Sequence, residues 1–192
     1  MSAERLQFVE PMYARSVQQI PEGGAWTYEV KFDGYRALAG RDSTVVTLWF
    51  RRGNVFTDQF PHLAKACEHL PADTLLDGEI IALHANGRVS FNQLQHHRSQ
   101  AQAILFYAFD VIIHRGKSLV QVPLETRREI LGETIGDRNL QTPLICLSDT
   151  LDTTPAELIP LIKEFGFEAS SPSAKTLVMR SASAAAPGSS IK

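Results

Sequence analysis

Tyr28-Glu29-Val30-Lys31-Phe32-Asp33-Gly34-Tyr35-Arg36 reads as a short strand that breaks into a glycine turn. A strand period of two sets Glu29, Lys31 and Asp33 on one face and Tyr28, Val30 and Phe32 on the other. The apolar face can join a core. The other face carries a lysine between two carboxylates, which adds little to stability and suits chemistry. A nucleophilic lysine must be neutral when it attacks. Its pKa, ordinarily about 10.4, must then be lowered by desolvation or neighbouring cations. Taken alone, Lys-x-Asp-Gly is more often a surface turn than a reactive site, so the surrounding chain decides its meaning.

Upstream, residues 1–25 read as an irregular lead-in broken by Pro11, Pro21, Gly23 and Gly24. Downstream, residues 26–32, 35–41 and the β-branched, aromatic run 44–50 suggest an antiparallel meander, with Arg51-Arg52-Gly53-Asn54 as a charged turn. Residues 58–70 place Phe60, Leu63, Ala64, Cys67 and Leu70 at helical spacing, with Pro61 allowed in the first turn. Residues 74–83 read as a buried strand interrupted by Asp77, Gly78 and Glu79, and Asn86-Gly87 is a hairpin signal. A short helix is expected over 91–98. Its adjacent His96 and His97 point in different directions, poorly placed as metal ligands and expected to face solvent. A second buried strand spans 104–113 with Asp110 its only charge, and His114 to Lys117 make a turn. A helix over 124–135 puts Leu124, Arg127, Arg128 and Leu131 at helical spacing. A short strand at 144–147 follows, then a capped helix from Thr154-Pro155-Ala156-Glu157 to about Phe165, stopped by Gly166. Residues 169–192 hold seven serines and six alanines in 24 positions, and only Leu177-Val178-Met179 offers much to bury, so this segment is expected to be poorly ordered.

The 192 residues are 44% apolar and 21% charged, as in an ordinary globular protein with an adequate core. No apolar run approaches the ~20 residues of a membrane span, and the N-terminus lacks the apolar stretch of a secretory signal. Cys67 and Cys146 are far apart, which suggests neither a disulfide framework nor a zinc site and fits a reducing cytoplasm. A net charge of −2 argues against bulk electrostatic binding of nucleic acid, although Arg36, Arg41, Arg51 and Arg52 could form a local basic surface.

Lys31-Phe32-Asp33-Gly34-Tyr35-Arg36 resembles the first signature of covalent nucleotidyltransferases, Lys-x-Asp-Gly-x-Arg, and the preceding Glu29 fits it too. Leu48-Trp49-Phe50-Arg51-Arg52-Gly53 is similar to the second, Ser-Arg-x-Gly, with Phe50 in place of the serine. Leu76-Asp77-Gly78-Glu79-Ile80 resembles the third, and Phe106 to Ile112 the aromatic signature that follows. Pro11-Met12, Phe60-Pro61-His62-Leu63 and Pro123-Leu124-Glu125-Thr126-Arg127-Arg128 match the connecting text. Together, over residues 10–168, these resemble the adenylation domain of ATP-dependent DNA ligases, closest to the bacterial kind associated with end-joining repair.

The resemblance implies an α+β, ATP-grasp-like nucleotidyltransferase fold, with two antiparallel sheets and flanking helices around a nucleotide cleft. It implies that Lys31 attacks the α-phosphate of ATP, that the AMP passes to a 5′-phosphate at a DNA nick, and that the 3′-hydroxyl displaces it. Glu29 would lie beside the adenine, and Arg36 and Arg51 would contact ribose or phosphate. Phe109 would stack on the base, though as a residue of a buried strand it suits plain core equally well. Glu79 would bind ribose or metal. Mg²⁺ would neutralise the phosphates, held by Glu79 and Glu168. Asp33 and Asp77 are expected in turns. The implied partners are ATP, nicked or broken double-stranded DNA and other end-joining repair proteins, with no membrane, in the cytoplasm near the bacterial nucleoid.

The fourth signature, Glu-Gly-hydrophobic-hydrophobic-x-Lys, is altered. Glu168 is followed by Ala169 to Ala174 and then Lys175, so that a two-residue insertion is needed to align both ends, and Pro172 would interrupt the expected strand. Lys192 falls where the fifth signature would begin. The expected organisation is an adenylation domain over 1–168 and a divergent segment over 169–192, without the oligonucleotide-binding barrel usual in the family. Two alternatives stay open: a degenerate module that binds nucleotide or DNA without covalent transfer, and an RNA ligase-type transferase.

Overall fold

The computed structural model describes residues 6–12, 14–15, 26–30, 32–84, 89–95, 103–136, 143–148, 150–151, 157, 177–181 and 190–191. In chain order the elements are β1 (Ala14–Arg15), β2 (Trp26–Val30), β3 (Tyr35–Arg41), β4 (Val46–Phe50), a 3-10 turn (Thr57–Gln59), α1 (Pro61–Cys67), β5 (Thr74–Leu83), α2 (Phe91–Gln95), β6 (Ala103–His114), β7 (Lys117–Ser118), α3 (Leu124–Gly136), β8 (Ile145–Leu147), β9 (Thr150–Leu151), β10 (Leu177–Ser181) and β11 (Ser190–Ile191). They form an α+β arrangement of two sheets. One has the order β1-β11-β10-β2-β9; the other runs β4-β3-β5-β6-β7, with β8 added beside β6.

The second sheet carries the main core. Strand alternation turns Ala37, Ala39, Leu48, Leu76, Ile80, Phe106 and Ala108 toward Leu63, Ala66 and Cys67 of α1, Leu94 of α2 and Leu131 of α3. Leu38, Trp49 and Leu75 point the other way and pack on Leu6, Phe8 and Val9 of the lead-in. Each fully buried leucine here contributes about 1.5–3 kcal/mol over its exposed state. Turn chemistry fixes the β3–β4 hairpin: Asp42 Oδ1 accepts the backbone N–H groups of Thr44 at 2.8 Å and Val45 at 2.7 Å. At the β6–β7 turn, Arg115 and Gly116 both adopt positive φ, 49° and 78°, as a tight two-residue hairpin requires.

The expected meander holds only from β3 onward. β2 does not pair with β3 but lies between β10 and β9 in the other sheet, so the bend at Asp33–Gly34 is a crossing between sheets. A two-residue hairpin there would need positive φ, and Gly34 is not among the described glycines with it. Close approach explains the glycine instead. A Cβ at Gly34 would sit 2.2 Å from the Ile80 carbonyl oxygen, where β3 comes into register with β5 at Tyr35 and Ile80. β2 also buries a residue on each of its faces, Tyr28 and Glu29.

Nor are the sheets wholly antiparallel. β1 runs parallel to β11, and β8 runs parallel to β6. For β8 the cause is the connection: α3 intervenes, and a helical crossover returns the chain in the same direction. Leu177-Val178-Met179 of the serine- and alanine-rich segment forms most of β10, which pairs along the whole of β2. The expected helix at 154–165 is described only at Glu157, which is helical and exposed. Asn86-Gly87, His96 and His97 lie outside the described residues. Among the described residues, no helix is long and apolar enough to cross a membrane.

Candidate functional site

The face of the second sheet turned away from the helices carries a cluster of polar and aromatic side chains. Arg36 of β3 lies opposite Glu79 of β5. Its Nε and Nη2 donate to the two carboxylate oxygens of Asp77, each at 2.7 Å. The guanidinium carbon also lies 4.2 Å from the centre of the Phe109 ring, within cation–π range. Burial by itself lowers the Arg36 pKa. The charge and hydrogen bonds of Asp77, with smaller contributions from Glu79 and Asp110, outweigh it and raise the pKa above its ordinary value. Arg36 is therefore a fixed cation at any pH the fold survives.

Phe109 stands on this face by ordinary alternation with Tyr107, and it sits in a β-bulge. Asp77 pairs with Asp110 and Gly78 pairs with Ala108, which leaves Phe109 as the extra residue. The bulge also switches the alternation, so that Phe106, Ala108 and Val111 all join the core. Gly78 permits the crowding: a Cβ there would meet the Tyr107 carbonyl oxygen and the Phe106 ring at 2.5 Å. Glu79 faces Tyr107 across the strands, and its Oε1 accepts the Gly34 N–H at 3.1 Å. Phe32 packs on Tyr107 with ring centres 4.5 Å apart. The bend after Lys31 is thereby held onto the cluster.

Helix α3 braces the cluster from beside it. Arg127 donates from Nε at 2.8 Å and Nη2 at 2.9 Å to the two oxygens of Asp110, and from Nη1 at 2.7 Å to the Val122 carbonyl. Arg128 pairs with the buried Glu29 of β2 and donates to the carbonyls of Phe109 and Ser148.

Of the residues singled out from sequence, the fold brings Arg36, Glu79 and Phe109 together. Glu29 is tied to Phe109 through Arg128. Arg51 is an exposed residue of the turn after β4. Lys31, Glu168, Lys175 and Lys192 lie outside the described residues. Asp33 is in an exposed bend, whereas Asp77 is not in a turn but within β5, where it holds Arg36. Sequence reasoning gave Arg127 and Arg128 no role. A signal was present: two arginines on a helical face shared with buried leucines require carboxylate partners.

Among the described residues, no group of three or more potential ligands is placed to hold a metal ion. Asp77, Asp110 and Glu29 are each paired with an arginine. A divalent cation here would take few protein oxygens and most of its ligands from phosphate and water. That suits Mg²⁺, which commonly uses one or two carboxylates plus substrate phosphates.

A family model described as ATP dependent DNA ligase domain matches residues 11–159. The multifunctional non-homologous end joining protein LigD of Pseudomonas aeruginosa is 35% identical over 165 residues, 84% of this chain and 19% of that protein. DNA ligase C1 of Mycolicibacterium smegmatis is 34% identical over 145 residues, 68% of this chain and 42% of that protein. A solved mycobacterial DNA ligase D complexed with ATP and MES aligns with a TM-score of 0.70 at 25% identity, over 91% of this chain and 54% of that one. The chain thus spans between 19% and 54% of the length of these relatives.

Proposed function

The chain belongs to the ATP-dependent DNA ligase domain family, and from that premise we propose that it takes AMP from ATP onto Lys31 and passes it to the 5′-phosphate of a DNA nick. Residues 1–168 would form the adenylation domain, with 169–192 as its divergent C-terminal segment. In the first step the Lys31 amine, having lost its proton, bonds to the α-phosphorus of ATP. The bond to the bridging oxygen breaks and pyrophosphate leaves. In the second, an oxygen of the DNA 5′-phosphate attacks the same phosphorus, and the phosphorus–nitrogen bond breaks. In the third, the 3′-hydroxyl attacks the 5′-phosphorus and AMP leaves. Each step is phosphoryl transfer, so positioning and charge neutralisation carry the catalysis.

The observation that supports this reading is the cluster directly after Lys31 in the chain: a fixed Arg36 cation lying on the Phe109 ring, with Glu79 opposite it. Phe109 would stack on the base, and Glu29 would lie on the base side. Arg36, Arg51, Lys175 and Lys192 would meet ribose or phosphate. Mg²⁺, held by Glu79 and Glu168, would withdraw charge from the phosphate oxygens. The relatives' names, DNA ligase and non-homologous end joining protein, support DNA joining as the setting; in this reading the substrate is nicked or broken double-stranded DNA, the partners are other end-joining proteins, and the work is done in the cytoplasm at the nucleoid.

The test is incubation with Mg²⁺ and α-labelled ATP. Acid-labile AMP on the protein, absent in Lys31→Ala, is expected. A second reading is a module that binds ATP or DNA without covalent transfer. It draws on Arg36, two of whose nitrogens are already held by Asp77. ATP binding with no label at any ATP concentration would favour it. Sealing assays on nicked DNA and nicked RNA in parallel separate DNA from RNA joining.

A further inference from the structure

One side chain ties together three parts of the candidate site that are remote in sequence. Arg128 donates from Nη1 to the Glu29 carboxylate and, at 3.1 Å, to the Phe109 carbonyl, and from Nη2 to the Ser148 carbonyl. Glu29 belongs to β2 in the first sheet. Phe109 is the bulge residue of β6 in the second, and Ser148 follows β8, just ahead of β9, which itself pairs with β2. Sharing one nitrogen keeps Glu29 and the Phe109 main chain within two hydrogen-bond lengths of each other. Arg128 and Glu29 are only 14% and 2% exposed at the side chain, so neither is held loosely by solvent. The adjacent Arg127 grips Asp110, the residue just beyond the bulge, and thereby holds its other side.

We propose that Arg128 is a positioning residue for the base end of the nucleotide: it sets the gap between Glu29 and Phe109 and so decides which purine the site accepts. This rests on the adenylation reading for the identity of the ligand. The planar guanidinium fork is the essential feature. A lysine at 128 would keep the charge opposite Glu29 but present a single point of donation, unable to span both carbonyls as well. Arg128→Lys therefore separates charge from geometry.

Equilibrium binding of ATP and GTP to the wild type and to Arg128→Lys, in the full chain without turnover, tests this. ATP affinity is expected to fall about tenfold, the size of one lost charge-assisted hydrogen bond, and the ATP-over-GTP preference to narrow by a similar factor. The rate of AMP attachment at saturating ATP should fall by a smaller factor than ATP affinity does, since the role assigned to Arg128 is at the base end of the nucleotide. A merely structural arginine would lower the unfolding midpoint yet leave the purine preference of the folded variant unchanged, and that result overturns the proposal. Wild-type protein that binds ATP but takes no AMP would sink the adenylation reading alone, because the binding comparison still decides the role of Arg128. Wild-type protein that binds neither nucleotide would overturn both.

Discussion

Replacing Arg36 by methionine removes the guanidinium and keeps most of the apolar stem, leaving the Asp77 carboxylate buried at 5% exposure without its two 2.7 Å hydrogen bonds. Breaking a fully buried ion pair costs about 3–5 kcal/mol. Arg36 is 26% exposed, and water entering from that side reduces the figure to about 2–3 kcal/mol. Loss of the cation over Phe109 adds about 0.5–1 kcal/mol. The expected total is about 3 kcal/mol, or a fall in Tm of about 6–12 °C for a chain of this size. Urea unfolding followed by tryptophan fluorescence measures it. Arg36→Met/Asp77→Leu should regain more than half of the loss, because the stranded charge is gone. A loss below about 0.5 kcal/mol would mark Arg36–Asp77 as an ordinary surface pair and refute the reasoning. So would a double variant no more stable than Arg36→Met.

Arg51 supplies the contrast: it is exposed in a turn, so Arg51→Ala should leave stability within about 0.5 kcal/mol while reducing AMP attachment, measured by labelling beside a denaturation curve. Gly78→Ala places a Cβ 2.5 Å from the Tyr107 carbonyl oxygen, which strand pairing cannot easily move; a loss of about 2–3 kcal/mol is expected by urea unfolding, and a loss under about 1 kcal/mol would show that the bulge yields. Burial pushes the Cys67 thiol up to about 12 from its ordinary 9.0, so alkylation at pH 8 followed by mass spectrometry should modify Cys146 and spare Cys67 until the protein unfolds. The same shift stabilises the fold fully below pH 9.0 and is lost as pH rises toward 12, so unfolding midpoints should decline across that window and Cys67→Ala should flatten the decline.

The six-stranded sheet was largely legible because its strands announce themselves locally. The runs at 74–83 and 104–113 are long, apolar and β-branched, and they fold as Thr74–Leu83 and Ala103–His114. α3 was legible from the spacing of Leu124 and Leu131. What the period of two could not convey was partnership. Tyr28 to Phe32 and Tyr35 to Arg41 are neighbours along the chain, and the simplest inference pairs them. The decision between a hairpin and a crossing lies in the conformation of one glycine and in the Ile80 carbonyl packed against it, 46 residues away in sequence. Local patterns carry no information about such a contact.

For the site, the sequence supplied members and the fold supplied their relations. Arg36, Glu79 and Phe109 were picked out by likeness to motifs, and alternation from Phe106 puts Phe109 on the face of Arg36, but it would not show that Asp110 stands opposite Asp77 while Val111 joins the core. The bulge accomplishes both, and it is held by Arg127 on one side and Arg128 on the other. Buried acids were the readable clue. Glu29, Asp77 and Asp110 each interrupt an apolar strand, and an ionised carboxylate in such a place must find a cation or give up its charge. Counting them gives three acids to match with three arginines: Arg36 for Asp77, Arg127 for Asp110 and Arg128 for Glu29. Two of those pairs tie α3 to the strands, and the third joins neighbouring strands at the cluster itself. A cluster built on such pairs resists deformation: moving any one carboxylate away from its arginine would cost the interior an ion pair. That rigidity is what the proposed phosphoryl transfer, governed by positioning, would demand of its floor.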